Sequence, residues 1–308
     1  MGIVHWDDVE LHRAAKGEMD ASWQRLGHAA GARGVGMNRV RVAPGMLPTP
    51  PHSHGASEEI YFVLGGSGLA WQDESVHEVA AGDCIVQRAD LYEHTFRAGP
   101  DGLDYLVFGT NHPTELGWLP RSGAVRFGWP WVEGRTDDPW EIEAQAEPLT
   151  FADPSPRPGN ISSLAAGDRW RGLGAEAGAE RTGLNWLRLD QDRLSGPPHC
   201  HSEDEEVFVV LEGEGTLELW PAPAAREGAD REDLPVRAGH VVARPPSSRV
   251  AHAFRAGPGG LTLLAYGTNP PNDVCYYPRS NKLFWRGVGL IGRVDSLEYE
   301  DGEPDDWG

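Results

Sequence analysis

Pro51-His52-Ser53-His54-Gly55-Ala56-Ser57-Glu58-Glu59 returns as Pro198-His199-Cys200-His201-Ser202-Glu203-Asp204-Glu205-Glu206, an offset of 147 residues (52 to 199). In an extended strand, side chains two apart share a face. His52 and His54 can therefore address one point in space, and so can His199 and His201. When the chain returns as the next strand, its leading carboxylate, Glu59 or Glu206, can reach the same point. A third histidine follows in each copy, His94 at 12 residues after Gly82 and His252 at 13 after Gly239. A lone His-x-His is usually surface decoration or a satisfied core pair. Here six of the chain's 12 histidines fall in two equivalent sets, each with a glutamate in step.

Outward from these stretches the whole chain reads as a duplication. At the offset of 147, Trp23 falls on Trp170, Leu26 on Leu173, Asn38 on Asn185, Arg41 on Arg188 and Gly66 on Gly213. Farther on the offset is 158 (94 to 252): Phe96–Pro100 meets Phe254–Pro258, and Pro120-Arg121-Ser122 meets Pro278-Arg279-Ser280. The difference of 11 residues is an insertion, with Pro221–Asp233 as its site because of its Pro, Ala, Gly and charge content. Strands are expected at Asn38–Val42, Glu59–Leu64, Gly82–Val86 and Leu103–Phe108. Their second-copy equivalents are Asn185–Leu189, Val207–Leu211, His240–Ala243 and Leu261–Tyr266, all bounded by turn residues. The expected fold is all-β: a sandwich or barrel over residues 1–135, a connector over 136–160, and a second such unit with an acidic tail over 161–308. The Pro-rich connector, beginning near Trp129, is expected to cross between the barrels.

A chain of 308 residues suffices for two such cores. The net charge of −20, with no basic stripe, argues against nucleic acid or an anionic membrane as partner. The longest apolar stretch, near Ile60–Leu64, suits a buried strand rather than a membrane span. Asp7, Asp8 and Glu10 make the start unlike a signal peptide. Three cysteines, Cys84, Cys200 and Cys275, give no disulfide framework, so a reducing, cytoplasmic setting is expected.

Three imidazoles and one carboxylate suit a borderline divalent transition ion such as Fe, Mn, Zn, Ni or Co, one per barrel, rather than the oxygen-loving Ca or Mg. Such ions accept about five or six ligands, so four protein ligands leave positions for water, dioxygen or a chelating substrate.

The pattern resembles the cupin superfamily. The family's first motif, Gly, then His-x-His, then Glu, then Gly, is matched over Gly45–Gly66, with Asp192 standing for that first glycine in the second copy. The later motif is matched loosely by Gly82…His94 and Gly239…His252. The resemblance covers roughly residues 20–290 and implies two double-stranded β-helix (jelly-roll) barrels, a bicupin, each holding a metal ion in its mouth. The Asn272–Pro278 segment is similar to that of bacterial bicupins, a likeness that implies a fold and a metal but no substrate. Glu58 fits the family's shorter spacing and Glu59 its longer one. Glu59 and Glu206 are preferred because Gly66-Ser67-Gly68 and Gly213-Glu214-Gly215 then form matching turns, leaving Glu58 and Glu205 as outward, solvated carboxylates.

The expected function is a metal-dependent oxygenase (a dioxygenase-type oxidoreductase) or decarboxylase acting on a small oxygenated organic acid or enol. The alternatives are a non-redox isomerase or lyase, or a small-ligand binding or sensor protein without turnover. A homodimer is a candidate assembly. Tyr61 and Phe208, two residues beyond the inward glutamates, should line the cavities. Arg41 and Arg188 are candidate contacts for an anionic substrate, although repeated arginines, Arg121 and Arg279 included, more often tie loops to carbonyls. Cys200, between two inward histidines, should point away from the metal. The first barrel is expected to be the catalytic one, since its mouth lacks the insertion.

Overall fold

The computed structural model describes residues 2–73, 75–89, 92–127, 138–222, 230–295, 297–302 and 304. Each half forms a large curved sheet and a small one. In the first large sheet the order is Ile161–Ser163, Asp83–Gln87, Glu59–Gln72, His94–Thr110, Val35–Val42, Met19–Gln24 and His12–Lys16. The second repeats it with Gly2–His5, His240–Arg244, Glu206–Pro221, Val250–Gly267, Gly183–Leu189 and Trp170–Arg171. In both, a further strand, Ser75–Ala80 or Glu232–Arg237, pairs with the long strand that begins at the glutamate. The two halves therefore share one strand order, as a duplication requires.

The first strand in each order is exchanged between the halves. Gly2–His5 pairs with His240–Ala243 of the second sheet, and Ile161–Ser163 pairs with Asp83–Ile85 of the first. Two short segments thus lie across the 1–135 and 161–308 division. The described part of the connector stays with the first half. Asp138 caps the helix Pro139–Gln145, Glu143 accepts from the Ser122 amide at 2.8 Å, and the Ser155 amide donates to Val76 at 2.7 Å. Residues 129–137 of the connector and 223–229 of the insertion lie outside the described residues.

The central strands run on beyond their expected ends. Glu59–Gln72 pairs with His94–Thr110 along its length, with register shifts at Val63/Gly65 and Gly66/Gly68; Glu206–Pro221 and Val250–Gly267 repeat this at Val210/Glu212 and Gly213/Gly215. The glycine pairs expected to be turns are bulges at which one continuous ladder bends to close the barrel. Gly66 and Gly213 have φ of 75° and 79°, and a Cβ on either would lie 2.2 Å from the carbonyl oxygen of Gly102 or Gly260. Asp192, standing where the first copy has Gly45, takes the same left-handed conformation, φ 61° against 73°.

Period-two alternation decides what each strand buries. Val40, Val42, Tyr61, Val63, Phe96 and Tyr105 fill the first barrel, and Phe208, Val210, Leu217, Phe254 and Leu263 fill the second. The opposite faces meet between the barrels, where Ile60, Phe62, Leu106, Phe108, Val207 and Tyr266 form a third core. Phe108 and its copy Tyr266 stack there, centroids 5.2 Å apart and planes at 17°.

Candidate metal centres

His52 and His94 form an antiparallel bridge, the His52 amide donating to His94 at 3.2 Å and the His94 amide to His52 at 2.9 Å; His199 and His252 repeat it. The second residue of each pair belongs to the small sheet instead, His54 opposite Gly117 and His201 opposite Cys275. The His-x-His segment therefore joins the two sheets at the barrel mouth, where extended backbone turns both rings inward. Donor atoms of His52, His54, Glu59 and His94 all lie within 4.8 Å of one another. Glu59 Oε2 is 3.3 Å from both His54 Nε2 and His94 Nε2. In the second half Glu206 Oε2 is 3.3 Å from His201 Nε2 and 3.0 Å from His252 Nε2.

Hydrogen bonds outside these groups set which ring nitrogen faces inward. His52 Nδ1 donates to Pro50 O at 2.9 Å and His199 Nδ1 to Pro197 O at 2.8 Å, which leaves Nε2 free to act as a ligand. His201 Nδ1 donates to Asp273 Oδ2 at 2.7 Å, and His54 Nδ1 lies 3.4 Å from Glu115 Oε1. Glu115 and Asp273 also collect backbone amides of the loops beside the histidines: Gly55 and Ser57 for the first, Glu203 and Asp204 for the second. Sequence reasoning missed both carboxylates. The signal was present, since the offset of 158 sets Glu115 on Asp273 (115 to 273).

Residues 38–107, which carry the first histidine-glutamate set, match the cupin domain family. The second half repeats the strand order and the inward-facing set. The chain carries a cupin domain, and its second half has the same fold. Among curated proteins no sequence match is found. Solved structures similar to it include an oxalate decarboxylase mutant from Bacillus subtilis, at 13% identity and a TM-score of 0.60 over 89% of this chain and 79% of that one. Another Bacillus subtilis oxalate decarboxylase structure, which concerns Mn(II) centres, gives 12% and 0.58 over 89% and 79%. The formate complex of Lactobacillus farciminis oxalate decarboxylase gives 13% and 0.57 over 88% and 86%. At such identities the likeness speaks for the fold.

Electrostatics prepare the inward groups of both barrels for a cation. Burial, reinforced by His94 and His54, drives His52 down to about 3, and burial drives His252 down to about 4, so both rings are neutral. Burial also opposes charge on His54 and His201. There carboxylates win, Glu59 and Glu115 for His54, Asp273 and Glu206 for His201, and each ring is held up at about 10. Burial would raise Glu59 and Glu206, but the adjacent imidazoles keep both well below the usual carboxylate range. Nε2 of His54, His201 and His252 and Oε2 of Glu206 are buried without a hydrogen-bond partner among the described residues. Buried polar atoms are rarely left so, and one divalent cation in each barrel would satisfy them, so the donor sets fit such ions.

The structure separates the paired glutamates. Glu59 and Glu206 point into the barrels, whereas Glu58 and Glu205 are 1% and 3% exposed, not solvated as expected. Glu58 accepts from the Glu180 and Thr182 amides at 2.9 and 3.0 Å, and Glu205 from those of Arg33 and Gly34 at 2.8 and 2.5 Å. Each is buried against the other barrel, where unpaired backbone amides need an acceptor.

The remaining expectations divide. Tyr61 donates a hydrogen bond to Glu59 and lies 3.3 Å from His94 Nε2, and the Phe208 ring is 5.1 Å from that of His252. Arg41 and Arg188 are not at the centres. Arg41 alternates with the inward Val40 and Val42 and lies 3.7 Å from Asp104; Arg188 lines a separate recess with Glu212 and Thr262. Arg121 donates to Glu147 O at 2.6 Å, a loop tie, and Arg279 sits over the Trp220 ring. Cys200 packs with Ala222 and Ala251, away from the inward rings.

The second mouth opens on a recess of about 220 Å³ whose walls include Asn185, His199, His201, Glu206, Tyr277 and Arg286. Cys275, Tyr277, Phe284 and Arg286, which help to enclose it, come from the C-terminal hairpin Val274–Trp285 and the turn after it, not from the described part of the insertion.

Proposed function

We propose that the chain is a bicupin holding one divalent transition ion per barrel, at His52, His54, Glu59 and His94 and at His199, His201, Glu206 and His252. On this reading it is a metal-dependent decarboxylase of a small oxygenated organic acid, acting in the second barrel. The recess over His199, His201 and Glu206 carries the reading, because it gives a small molecule direct access to the inward donors. This reverses the preference for the first barrel that followed from the insertion alone. When bound, the ion supplies Lewis acidity to a chelating carboxylate or enol oxygen. The chain's own residues do the rest. Arg286, whose guanidinium lies 2.9 Å from Asp204 Oδ2, brings a fixed positive charge to the recess wall for an acid's second anionic group. Loss of carbon dioxide requires a proton at the carbon left behind. The Tyr277 hydroxyl, kept protonated chiefly by burial, faces the recess as its source. The likeness to decarboxylases of the same fold supports this chemistry over an oxygenase, as an analogy of fold.

The test is a panel of short oxo-, hydroxy- and dicarboxylic acids with the protein loaded in turn with Mn(II), Co(II) and Zn(II), following carbon dioxide and dioxygen together. Carbon dioxide released in step with acid consumed, without net oxygen uptake, is expected. Net oxygen uptake would make the protein an oxygenase. Tight binding without turnover would make it a binding protein.

A further inference from the structure

The second histidine of each pair meets a different partner across the duplication. His54 opposes Gly117 where Ser53–His54 pairs with Leu116–Leu119, and His201 opposes Cys275 where Cys200–His201 pairs with Val274–Tyr277. Directly opposed residues of an antiparallel pair project from the same face, with Cβ atoms about 5 Å apart. Where the first barrel has only a glycine hydrogen, the second therefore carries a thiol on the imidazole's own side. Donor atoms of His199, His201 and Cys275 lie within 4.8 Å of one another, and Cys275 is 2% exposed. The same region holds His201 Nε2, buried and without a hydrogen-bond partner among the described residues. The grouping of donors differs as well. In the first barrel four donors form one set, whereas in the second His199 belongs to two, one with Glu206 and His252 and one with His201 and Cys275.

We infer that Cys275 is a ligand of the second-barrel ion, so that the bicupin pairs a nitrogen–oxygen site with a softer site containing sulfur. The inference rests on the reading that each barrel holds a divalent ion. Thiolate ligands favour softer ions, Zn, Co or Cd over Mn, so the two barrels differ in metal preference. On binding, the S–H bond breaks, the sulfur–metal bond forms and the proton passes to solvent; no electrons change hands. Burial, against a hydrogen bond with Tyr277, pushes the thiol up to about 12, so the sulfur keeps its proton until an ion displaces it. The other two cysteines serve as controls. Cys200 packs among Ala222 and Ala251, and Cys84 lies in the core between the barrels.

The experiment is a Co(II) titration of the full metal-free chain, with bound cobalt counted by elemental analysis and the near-ultraviolet spectrum recorded. Two cobalt ions per chain and a thiolate-to-cobalt charge-transfer band are expected. The band should be lost in Cys275→Ser and in Cys275→Ala, which adds no polar group at a buried position should the serine variant misfold. It should persist in Cys200→Ser and in the double variant His52→Ala, His54→Ala. Two bound cobalt ions without the band, or a band that survives Cys275→Ser, would overturn the inference while leaving the metal reading intact. A folded chain that binds no cobalt would overturn both.

Discussion

Glu58 and Thr182, 124 residues apart, meet across the barrel interface, Thr182 Oγ1 donating to Glu58 Oε1 at 2.7 Å. The turn around Thr182 adds the Glu180 and Thr182 amides to the same carboxylate. Glu205 makes the reciprocal clasp on Arg33 and Gly34. Each clasp stands next in sequence to an inward glutamate, so the interface and the two centres share one piece of strand.

Removing a clasp should cost stability more than metal content. Hydrogen bonds to a charged acceptor contribute roughly 1.5–3 kcal/mol, and the amides left behind are buried. Glu58→Ala should therefore lower unfolding free energy by roughly 3 kcal/mol and Glu205→Ala, with fewer bonds, by roughly 2 kcal/mol. Urea unfolding with an unchanged m-value measures this. A loss below about 0.5 kcal/mol in both would show that the clasps do not hold the barrels together.

Replacing His52 and His54 by Ala should lower bound metal from two ions per chain to one, and replacing His199 and His201 should do the same. Elemental analysis of protein loaded and desalted checks it. If either double variant loses all its metal, one barrel's histidines are only core packing. Chelation should also lower the thermal midpoint of the wild type, since an ion bound only to the folded state stabilises it.

Metal affinity should rise with pH. His54 and His201 are held up at about 10 in the metal-free chain, and an ion must displace that proton. Affinity at the first site should climb about tenfold per pH unit from about pH 7 to 9 and level near the ring's own value; at the second, where the Cys275 proton leaves as well, it should climb about a hundredfold per pH unit. For the metal-free fold the sign reverses. A folded pKa raised above the unfolded value stabilises fully below the unfolded value of 6.5 and is lost as pH rises toward about 10. Competition with a chelating dye across this range gives the slope, and a flat profile would refute the assignment of these rings.

Gly66→Ala and Gly213→Ala should each cost at least about 2 kcal/mol, from the left-handed φ and the approach to the Gly102 or Gly260 carbonyl. Gly45→Ala, with a similar φ but no atom within 4 Å of its added Cβ, should cost less. Thermal unfolding of the three variants separates backbone strain from collision.

Duplication, an all-β class and the inward-facing sets were legible in the linear sequence, because strand geometry has period two and a repeat doubles every signal. His52 with His54, and His199 with His201, needed only that rule. Glu59 was less legible beside Glu58, since a one-residue difference exchanges the two faces of a strand. Which glutamate turns inward followed from whether its neighbour found amides on the other barrel. The exchange of Gly2–His5 and Ile161–Ser163 lay beyond any local pattern, because an edge strand takes whichever open ladder the fold brings near. Glu115 and Asp273 share one place in the repeat, but their contact with His54 and His201 depended on the third dimension in the same way. Alternation along the chain determined what lines each barrel. Only the packing of barrel on barrel, and of the C-terminal hairpin beside the second mouth, decided which carboxylates are clasps and what encloses that recess, for those contacts join residues more than a hundred positions apart or sheets that no single strand pattern relates.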